Sequence, residues 1–243
     1  MSSAPSAAAQ AQAAADLAGF ERREIAAVGD SHALYAFGYC QDVDVYWLGP
    51  RLMHRVARDG LRSLITLEDL GFFGERHLAS YRAILLSFGE IDARSHLPRI
   101  AAERAQSLEV AAADVTGRFI DSLAAQDLLP WDKVLLAGAP APSALFLSPE
   151  EIQAQLTLRR AMNDGLRAGA ARLGCAYLPP ADALIDADGV LASRYDLDGV
   201  HTNYDGAAIS TGLLTERVGL PRRLESRDID ILQMTVANRH GFG

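Results

Sequence analysis

Two short polar segments, near opposite ends of the chain, carry residue types that could perform nucleophilic catalysis. In the first, the apolar run Ile25–Val28 leads directly into Gly29, Asp30, Ser31 and His32. In an open α/β sheet the loops that leave the carboxyl ends of strands line the ligand crevice, so Ser31 is predicted at that rim and at the start of a helix. Gly-Asp-Ser is also a common turn sequence, so the alternative is that Asp30 or Ser31 only caps the helix.

A serine hydroxyl is a weak nucleophile at neutral pH, so it needs a base that accepts its proton. Among the six histidines, His201 lies in the segment Asp196–Asn203, which is rich in turn-forming residues. Asp198, three residues earlier, can turn back to accept a hydrogen bond from Nδ1–H, which leaves Nε2 facing the serine. Gly199 gives the backbone the freedom to bend. We therefore predict Ser31 as nucleophile, His201 as base and Asp198 as the group that orients the base.

Short apolar runs alternate with longer amphipathic segments, which is typical of a parallel sheet covered by helices. Each run is short and continuously apolar, as expected for a strand that is buried on both faces. Five strands are predicted on this basis: Ile25–Val28, Val43–Leu48, Ala83–Phe88, Val134–Ala137 and Ala176–Leu178.

Helix signals fill the intervals between these runs. Apolar residues recur at helical spacing over Ile100–Leu129, and a second helix is predicted to start at Ser148-Pro149 and to end near Leu173. A last helix is predicted over Tyr204–Val218. The segment Asp230–Val236 is predicted to form either a short edge strand or a strap that packs against the rest of the domain.

Composition and charge narrow the class of protein. The chain has 243 residues, of which 49% are hydrophobic and 22% charged, which is typical of a globular α/β domain. The net charge of −8 argues against a nucleic-acid partner. Cys40 and Cys175 are too far apart for a Cys-x-x-Cys site, and His54, His77 and His96 lack metal-ligand spacing, so neither a metal nor another cofactor is expected.

The first 20 residues, 1–20, are rich in Ala, Ser and Gln and are expected to form a flexible lead-in. They lack the positive start and apolar middle of a secretory signal. No apolar stretch approaches the roughly 18 residues that a membrane-spanning helix needs. A cytoplasmic protein without a membrane partner is therefore expected.

Gly29–Ser31 together with Asp198–His201 resembles the first and last sequence blocks of the SGNH hydrolases, also called the GDSL lipase and esterase family. The order and the separation of the two blocks both fit that family. The resemblance implies a flavodoxin-like three-layer α/β/α sandwich with about five parallel strands over residues 21–220. The tail, 221–243, would be packed on this domain or flexible.

The resemblance also implies a Ser-His-Asp hydrolase with an oxyanion hole. In the family this hole combines the nucleophile's own N–H, a glycine of the second block and an asparagine of the third. Ser31 matches the first donor, and Gly49 matches the second unless it is only the turn glycine that ends a strand. Ile91 stands at the position of the asparagine. Isoleucine cannot donate, so either turnover falls by about 10²–10³ or another group, such as Arg94, replaces the missing donor.

The third block is also the start of a dense charged cluster. Glu90, Asp92 and Arg94 are predicted to bind a polar part of the substrate, although a salt-bridged loop without a chemical role is the alternative. The predicted substrate-binding residues are Asp30, His32, Gly89, Glu90, Asp92 and Arg94.

The sequence therefore predicts a serine esterase that hydrolyses a short-chain acyl ester. No long apolar lid is evident, and the charged cluster favours a hydrophilic alcohol, so an O-acetyl group on a carbohydrate is one candidate substrate. Two alternatives stay open: an SGNH-type O-acyltransferase that acts on a glycan, and a non-catalytic ligand-binding module, suggested by Ile91. The partner is expected to be a small-molecule or glycan ester, and the oligomeric state is not predicted.

Overall fold

The computed structural model describes residues 23–50, 53–61, 80–125 and 129–239. The predicted flexible segment 1–20, His77 and the last residues of the tail, 240–243, lie outside the described residues. No helix within the described ranges combines the length and the apolar character that crossing a bilayer requires.

Five parallel strands form one sheet in the order β2-β1-β3-β4-β5. The strands are β1 (Ile25–Gly29), β2 (Val43–Trp47), β3 (Ala83–Ser87), β4 (Val134–Ala137) and β5 (Ala176–Leu178). All five predicted strands are confirmed, with ends that agree to within one residue. Every residue of β1, β3 and β4 is buried, as the continuous apolar runs predict for a sheet covered on both faces.

Helices cover the two faces of the sheet. They are α1 (Ser31–Phe37), α2 (Met53–Asp59), α3 (Leu97–Glu103), α4 (Leu108–Ala124), α5 (Pro149–Leu173), α6 (Tyr204–Val218) and α7 (Val236–Arg239). Because side chains alternate along a strand, Ala26 and Val28 of β1 join the core with α2, α4 and α5, whereas Ile25 and Ala27 join the core with α1 and α6. The predicted three-layer sandwich is confirmed.

The long helices end where local signals predict. Ser148 and Glu151 form a reciprocal capping box at the start of α5, and Gly174 ends that helix at a left-handed φ of 70°. The bounds of α6 also match the prediction. The helical spacing over Ile100–Leu129, by contrast, is not one continuous helix, because α3 ends at Glu103 and Ser107 caps a new helix, α4, by accepting a hydrogen bond from Val110 N.

The tail segment Asp230–Val236 lies along the open edge of β2. A 3₁₀ turn over Ile231–Met234 buries both of these side chains, and Thr235 makes a single parallel bridge to Val45 of β2. The segment is therefore a strap with one point of strand pairing. Such a strap shields the unpaired backbone groups of an edge strand.

Candidate active site

The turn between β1 and α1 places Ser31 at the carboxyl edge of the sheet. Gly29 is required here because β1 approaches β3 so closely that a Cβ atom on Gly29 would lie 1.9 Å from the carbonyl oxygen of Ser87. Asp30 caps α1, since its Oδ1 accepts a hydrogen bond of 2.9 Å from His32 N. Ser31 is then the first residue of the helix.

The structure brings Ser31, His201 and Asp198 together in a continuous hydrogen-bonded chain. His201 Nε2 lies 2.8 Å from Ser31 Oγ, and His201 Nδ1 lies 2.8 Å from Asp198 Oδ2. The imidazole is largely shielded from solvent, and the carboxylate is about half exposed. This is the arrangement that general-base activation of a serine requires.

The loop that carries His201 is held in shape by two aspartates. Asp196 Oδ1 accepts hydrogen bonds from the backbone N–H groups of Asp198 and Gly199. Asp198 Oδ1 in turn accepts from Val200 N at 2.9 Å and from His201 N at 2.8 Å. Gly199 adopts a φ of 88°, a left-handed conformation that glycine takes without strain and that makes the bend.

The charge state of Asp198 determines which nitrogen of His201 carries the proton. Partial burial opposes ionisation of Asp198, but hydrogen bonds from the His201 ring and from the His201 and Val200 amides outweigh it and lower the pKa of the carboxyl. Asp198 is therefore ionised at neutral pH and accepts a hydrogen bond from Nδ1–H. His201 Nε2 then faces Ser31 Oγ as the acceptor.

His32 ties the helix of Ser31 to the loop of His201. Its Nε2 lies 2.9 Å from the carbonyl oxygen of Val200, and because a carbonyl only accepts, Nε2 carries the proton. Burial lowers the pKa of His32 to about 4, so the ring is neutral. The ring of Tyr35, which the sequence did not single out, stacks on His201 with a centroid distance of 4.1 Å. His32 thus has a supporting role in the structure, and its predicted contact with substrate stays a prediction.

Two of the predicted oxyanion donors lie at the same edge of the sheet. The N–H of Ser31 has no hydrogen-bond partner in the part of the chain that the structure describes. Gly49 follows β2 at a φ of 70°, and the preceding Leu48 N donates to Gly29 O at 2.9 Å, which anchors this turn beside the end of β1. The roles of Ser31 and Gly49 as donors stay predictions.

Asp92 has a structural role that does not fit the predicted contact with substrate. Its two carboxylate oxygens accept hydrogen bonds from Met53 N at 2.6 Å and from His54 N at 3.2 Å, so it caps α2 from across the chain. The side chain is fully buried, and burial raises its pKa to about 6. The physical reason is that the first N–H groups of α2 need an acceptor.

Asp30 and Gly89 are also buried in structural positions. Burial, together with the negative charges of Glu90 and Asp92, raises the pKa of Asp30 to about 8. Gly89 adopts a φ of 112°, and a Cβ atom there would lie within 3 Å of the methyl groups of Met53 and Met162. The side chain of Asp30 is fully buried and Gly89 has none, and their predicted contacts with substrate stay predictions.

Glu90 and Arg94 form the part of the predicted cluster that faces a cleft. Glu90 Oε1 accepts from Arg94 Nε at 2.8 Å and from Arg159 Nη2 at 3.4 Å. Arg159 is almost fully buried; it also donates to Pro140 O at 2.6 Å and to the side chain of Gln155. Sequence reading missed Arg159, since only the packing of α5 against the helical turn after β3 brings it under Glu90.

No protein-family model matches the chain, and no curated protein matches it in sequence. Several solved structures share its fold. A GDSL-like lipase from Bacteroides thetaiotaomicron is 14% identical, with a TM-score of 0.50 over 87% of this chain and 97% of the lipase. A protein from Streptococcus pneumonia, named provisionally as a platelet activating factor, is 16% identical, with a TM-score of 0.55 over 86% of this chain and 90% of that protein.

A third solved structure, from Bacteroides fragilis and named provisionally as an acylhydrolase, is 14% identical, with a TM-score of 0.52 over 86% of this chain and 95% of that protein. At these identities the likeness establishes the fold. The resemblance to the SGNH hydrolases is thereby confirmed at the level of the three-layer architecture.

Proposed function

We propose that this chain is a serine esterase of the SGNH hydrolase type that cleaves short-chain acyl esters. The observation that carries the proposal is the contact of Ser31 Oγ with His201 Nε2 at 2.8 Å, with Asp198 on the far side of the same ring. A hydroxyl, an imidazole and an ionised carboxylate in this order are the groups that acyl transfer through a serine needs.

In the proposed reaction Ser31 Oγ attacks the carbonyl carbon of the ester while His201 Nε2 accepts the hydroxyl proton. Asp198 stabilises the resulting imidazolium, which then protonates the leaving alcohol as the carbon–oxygen bond of the ester breaks. A water molecule attacks the acyl-enzyme with His201 again acting as base, and this releases the acid and restores the serine. Ser31 N–H and Gly49 N–H would stabilise the tetrahedral oxyanion.

Two charged side chains near the site support a hydrophilic alcohol in the substrate. Glu90 and Arg94 line a cleft beside the loop of His201, and Gly199 and Val200 of that loop form its adjoining wall. Fold neighbours with the names GDSL-like lipase and acylhydrolase support ester chemistry as the reaction class. We therefore include O-acetylated carbohydrates among the candidate substrates.

Covalent labelling of Ser31 tests the proposal directly. A fluorophosphonate probe should add once to the wild type, as measured by intact mass, and should leave Ser31→Ala unlabelled. Hydrolysis of p-nitrophenyl acetate should disappear in both Ser31→Ala and His201→Ala. A wild type that stays unlabelled at high probe concentration contradicts the proposal.

Ile91 favours a second candidate, a non-catalytic ligand-binding module. The side chain at the position of the family's third oxyanion donor cannot hydrogen bond, and Arg94, the suggested replacement, donates a hydrogen bond from Nε to Glu90. This candidate predicts ligand binding without any ester turnover. The labelling and hydrolysis experiments above separate the two functions.

A further inference from the structure

A cleft of about 270 Å³ lies beside the loop that carries Asp198 and His201. Gly199 and Val200 belong to both that loop and the wall of the cleft, so the cleft adjoins the loop that carries the proposed base. The other walls come from the turn after β3, the loop between β4 and α5, and α5 itself. They include Glu90, Arg94, Phe146, Gln155 and Arg159.

The floor of the cleft offers a buried acceptor next to unused donors. Glu90 is 3% exposed, and its Oε2 has no hydrogen-bond partner among the described residues, although Oε1 has two. Arg94 donates to Glu90 through Nε, while its Nη1 and Nη2 groups donate to none of the residues that the structure describes. A buried carboxylate oxygen without a donor is costly, so a ligand donor is the natural partner.

The charged side chains at the floor of the cleft determine which kind of ligand it can bind. A ligand anion would face the unpaired oxygen of Glu90, and a ligand cation would face the guanidinium groups of Arg94 and Arg159. A neutral hydroxyl fits both, since it can donate to Glu90 Oε2 and accept from Arg94. Neighbouring hydroxyl groups on one molecule would use both side chains at once.

One wall of the cleft is an exposed aromatic ring held in an unusual conformation. Phe146 is 84% exposed and adopts a φ of 71°, which costs a non-glycine residue roughly 1 kcal/mol or more. Its loop is fixed to the loop of His201, because Ser143 Oγ accepts from Leu145 N at 2.9 Å and donates to Asp196. The backbone thus holds an apolar ring in solvent along a cleft that also contains the charged groups of Glu90, Arg94 and Arg159.

We infer that this cleft binds the sugar ring of an acylated carbohydrate. Hydroxyls along the edge of the ring would bind Glu90 Oε2 and the free N–H groups of Arg94, and the apolar C–H face of the ring would pack on Phe146. A sugar has this combination of a polar edge and an apolar face, whereas a simple alkyl alcohol has no hydroxyl beyond the esterified one and no ring face. The assignment rests on the proposed esterase function for the position of the ester, but binding of the ring does not require turnover.

The release of acetate from two esters, neither of which has an activated leaving group, tests the inference. We compare kcat and KM for a monoacetylated methyl glucopyranoside and for ethyl acetate. The wild type should prefer the sugar ester. In Phe146→Ala and in Arg94→Gln, the ratio of kcat/KM for the sugar ester to kcat/KM for ethyl acetate should fall about tenfold or more, mainly through KM, because each variant removes one contact that only the sugar makes.

Matched controls lie outside the cleft. Arg99→Gln removes an exposed arginine of α3, and Val110→Ala removes an exposed apolar side chain of α4, so both should keep the wild-type ratio. Phe146→Trp, which retains an aromatic face, should restore most of the preference that Phe146→Ala loses. Phe146 is well exposed, so Phe146→Ala should keep the wild-type melting temperature. Arg94→Gln also removes a donor to the buried Glu90, so its melting temperature is measured and the kinetic ratio is compared at a temperature at which both proteins are folded.

An unchanged ratio in either Phe146→Ala or Arg94→Gln overturns the inference, as does a wild type without preference for the sugar ester. An equal loss of kcat on both esters in Arg94→Gln also overturns it, since that result would place Arg94 at the oxyanion. Titration of Ser31→Ala with the methyl glucopyranoside, followed by NMR, tests ring binding without chemistry. Binding in that titration, with no labelling of wild-type Ser31, would mean that the esterase proposal fails while the sugar site stands.

Discussion

The position of the proton on His201 depends on Asp198, and Asp198→Asn reverses it. In the wild type, Asp198 Oδ1 accepts from two backbone N–H groups, and Oδ2 accepts from His201 Nδ1 at 2.8 Å. The two backbone donors require an oxygen, so the new amide must place its oxygen toward them and its NH₂ group toward Nδ1. An NH₂ group only donates, and the ring therefore moves its proton to Nε2, where it points at Ser31 and can no longer accept.

The magnitude of the loss follows from the exposure of Asp198. The wrong tautomer in a buried triad costs about 10⁴ in rate. Asp198 has 45% of its side chain exposed, so water competes with the amide and part of the population regains the productive tautomer. We expect kcat/KM to fall by about 10²–10³, which corresponds to about 2.7–4.1 kcal/mol at 1.36 kcal/mol per tenfold change.

Hydrolysis of p-nitrophenyl acetate by purified variants measures this loss. Asp198→Asn keeps an acceptor for Val200 N and His201 N, so its melting temperature should stay close to that of the wild type. Asp198→Ala removes that acceptor as well and should lose both stability and activity. Asp188→Asn, a change at an exposed turn, is the matched control. If Asp198→Asn retains more than a third of the wild-type kcat/KM, the assigned role of Asp198 is wrong.

Two further predictions concern stability. The pKa of Asp30 is about 8 in the folded chain against an ordinary 3.8, so the stability that its neutral form contributes is complete below about pH 4 and is lost as the pH rises through 8. Asp30→Asn should therefore reduce the drop in melting temperature between pH 6 and pH 9. Parallel curves of melting temperature against pH for the two proteins would count against this. Gly29→Ala forces a methyl group against Ser87 O and should lower the free energy of unfolding, measured in urea, by about 3 kcal/mol or more. Gly117→Ala, in open space on α4, should raise it by up to about 1 kcal/mol. Similar values for the two variants would refute the close-contact explanation.

Much of the architecture could be predicted because its signals are local. A strand such as β4 is one continuous apolar run, and α5 carries its own start at Ser148 and its own stop at Gly174. The contact between Ser31 and His201 was also predictable, because both residues lie in loops after strands, and such loops meet at the carboxyl edge of a parallel sheet. The break between α3 and α4 was not predicted, because the sequence alone does not distinguish a serine that caps a helix, such as Ser107, from a serine on the surface of a helix.

The amino-acid sequence by itself determined the strands, the long helices and the residue types of the proposed triad, since capping, periodicity and chemical type act within a few positions of the chain. Only the tertiary structure decided that Asp92 caps α2, that His32 binds Val200, and that Arg159 lies beneath Glu90. Each of these contacts joins elements far apart in the chain. Their partners depend on how helices pack across the sheet and on which polar groups that packing buries. Neither of these can be deduced from a local sequence pattern.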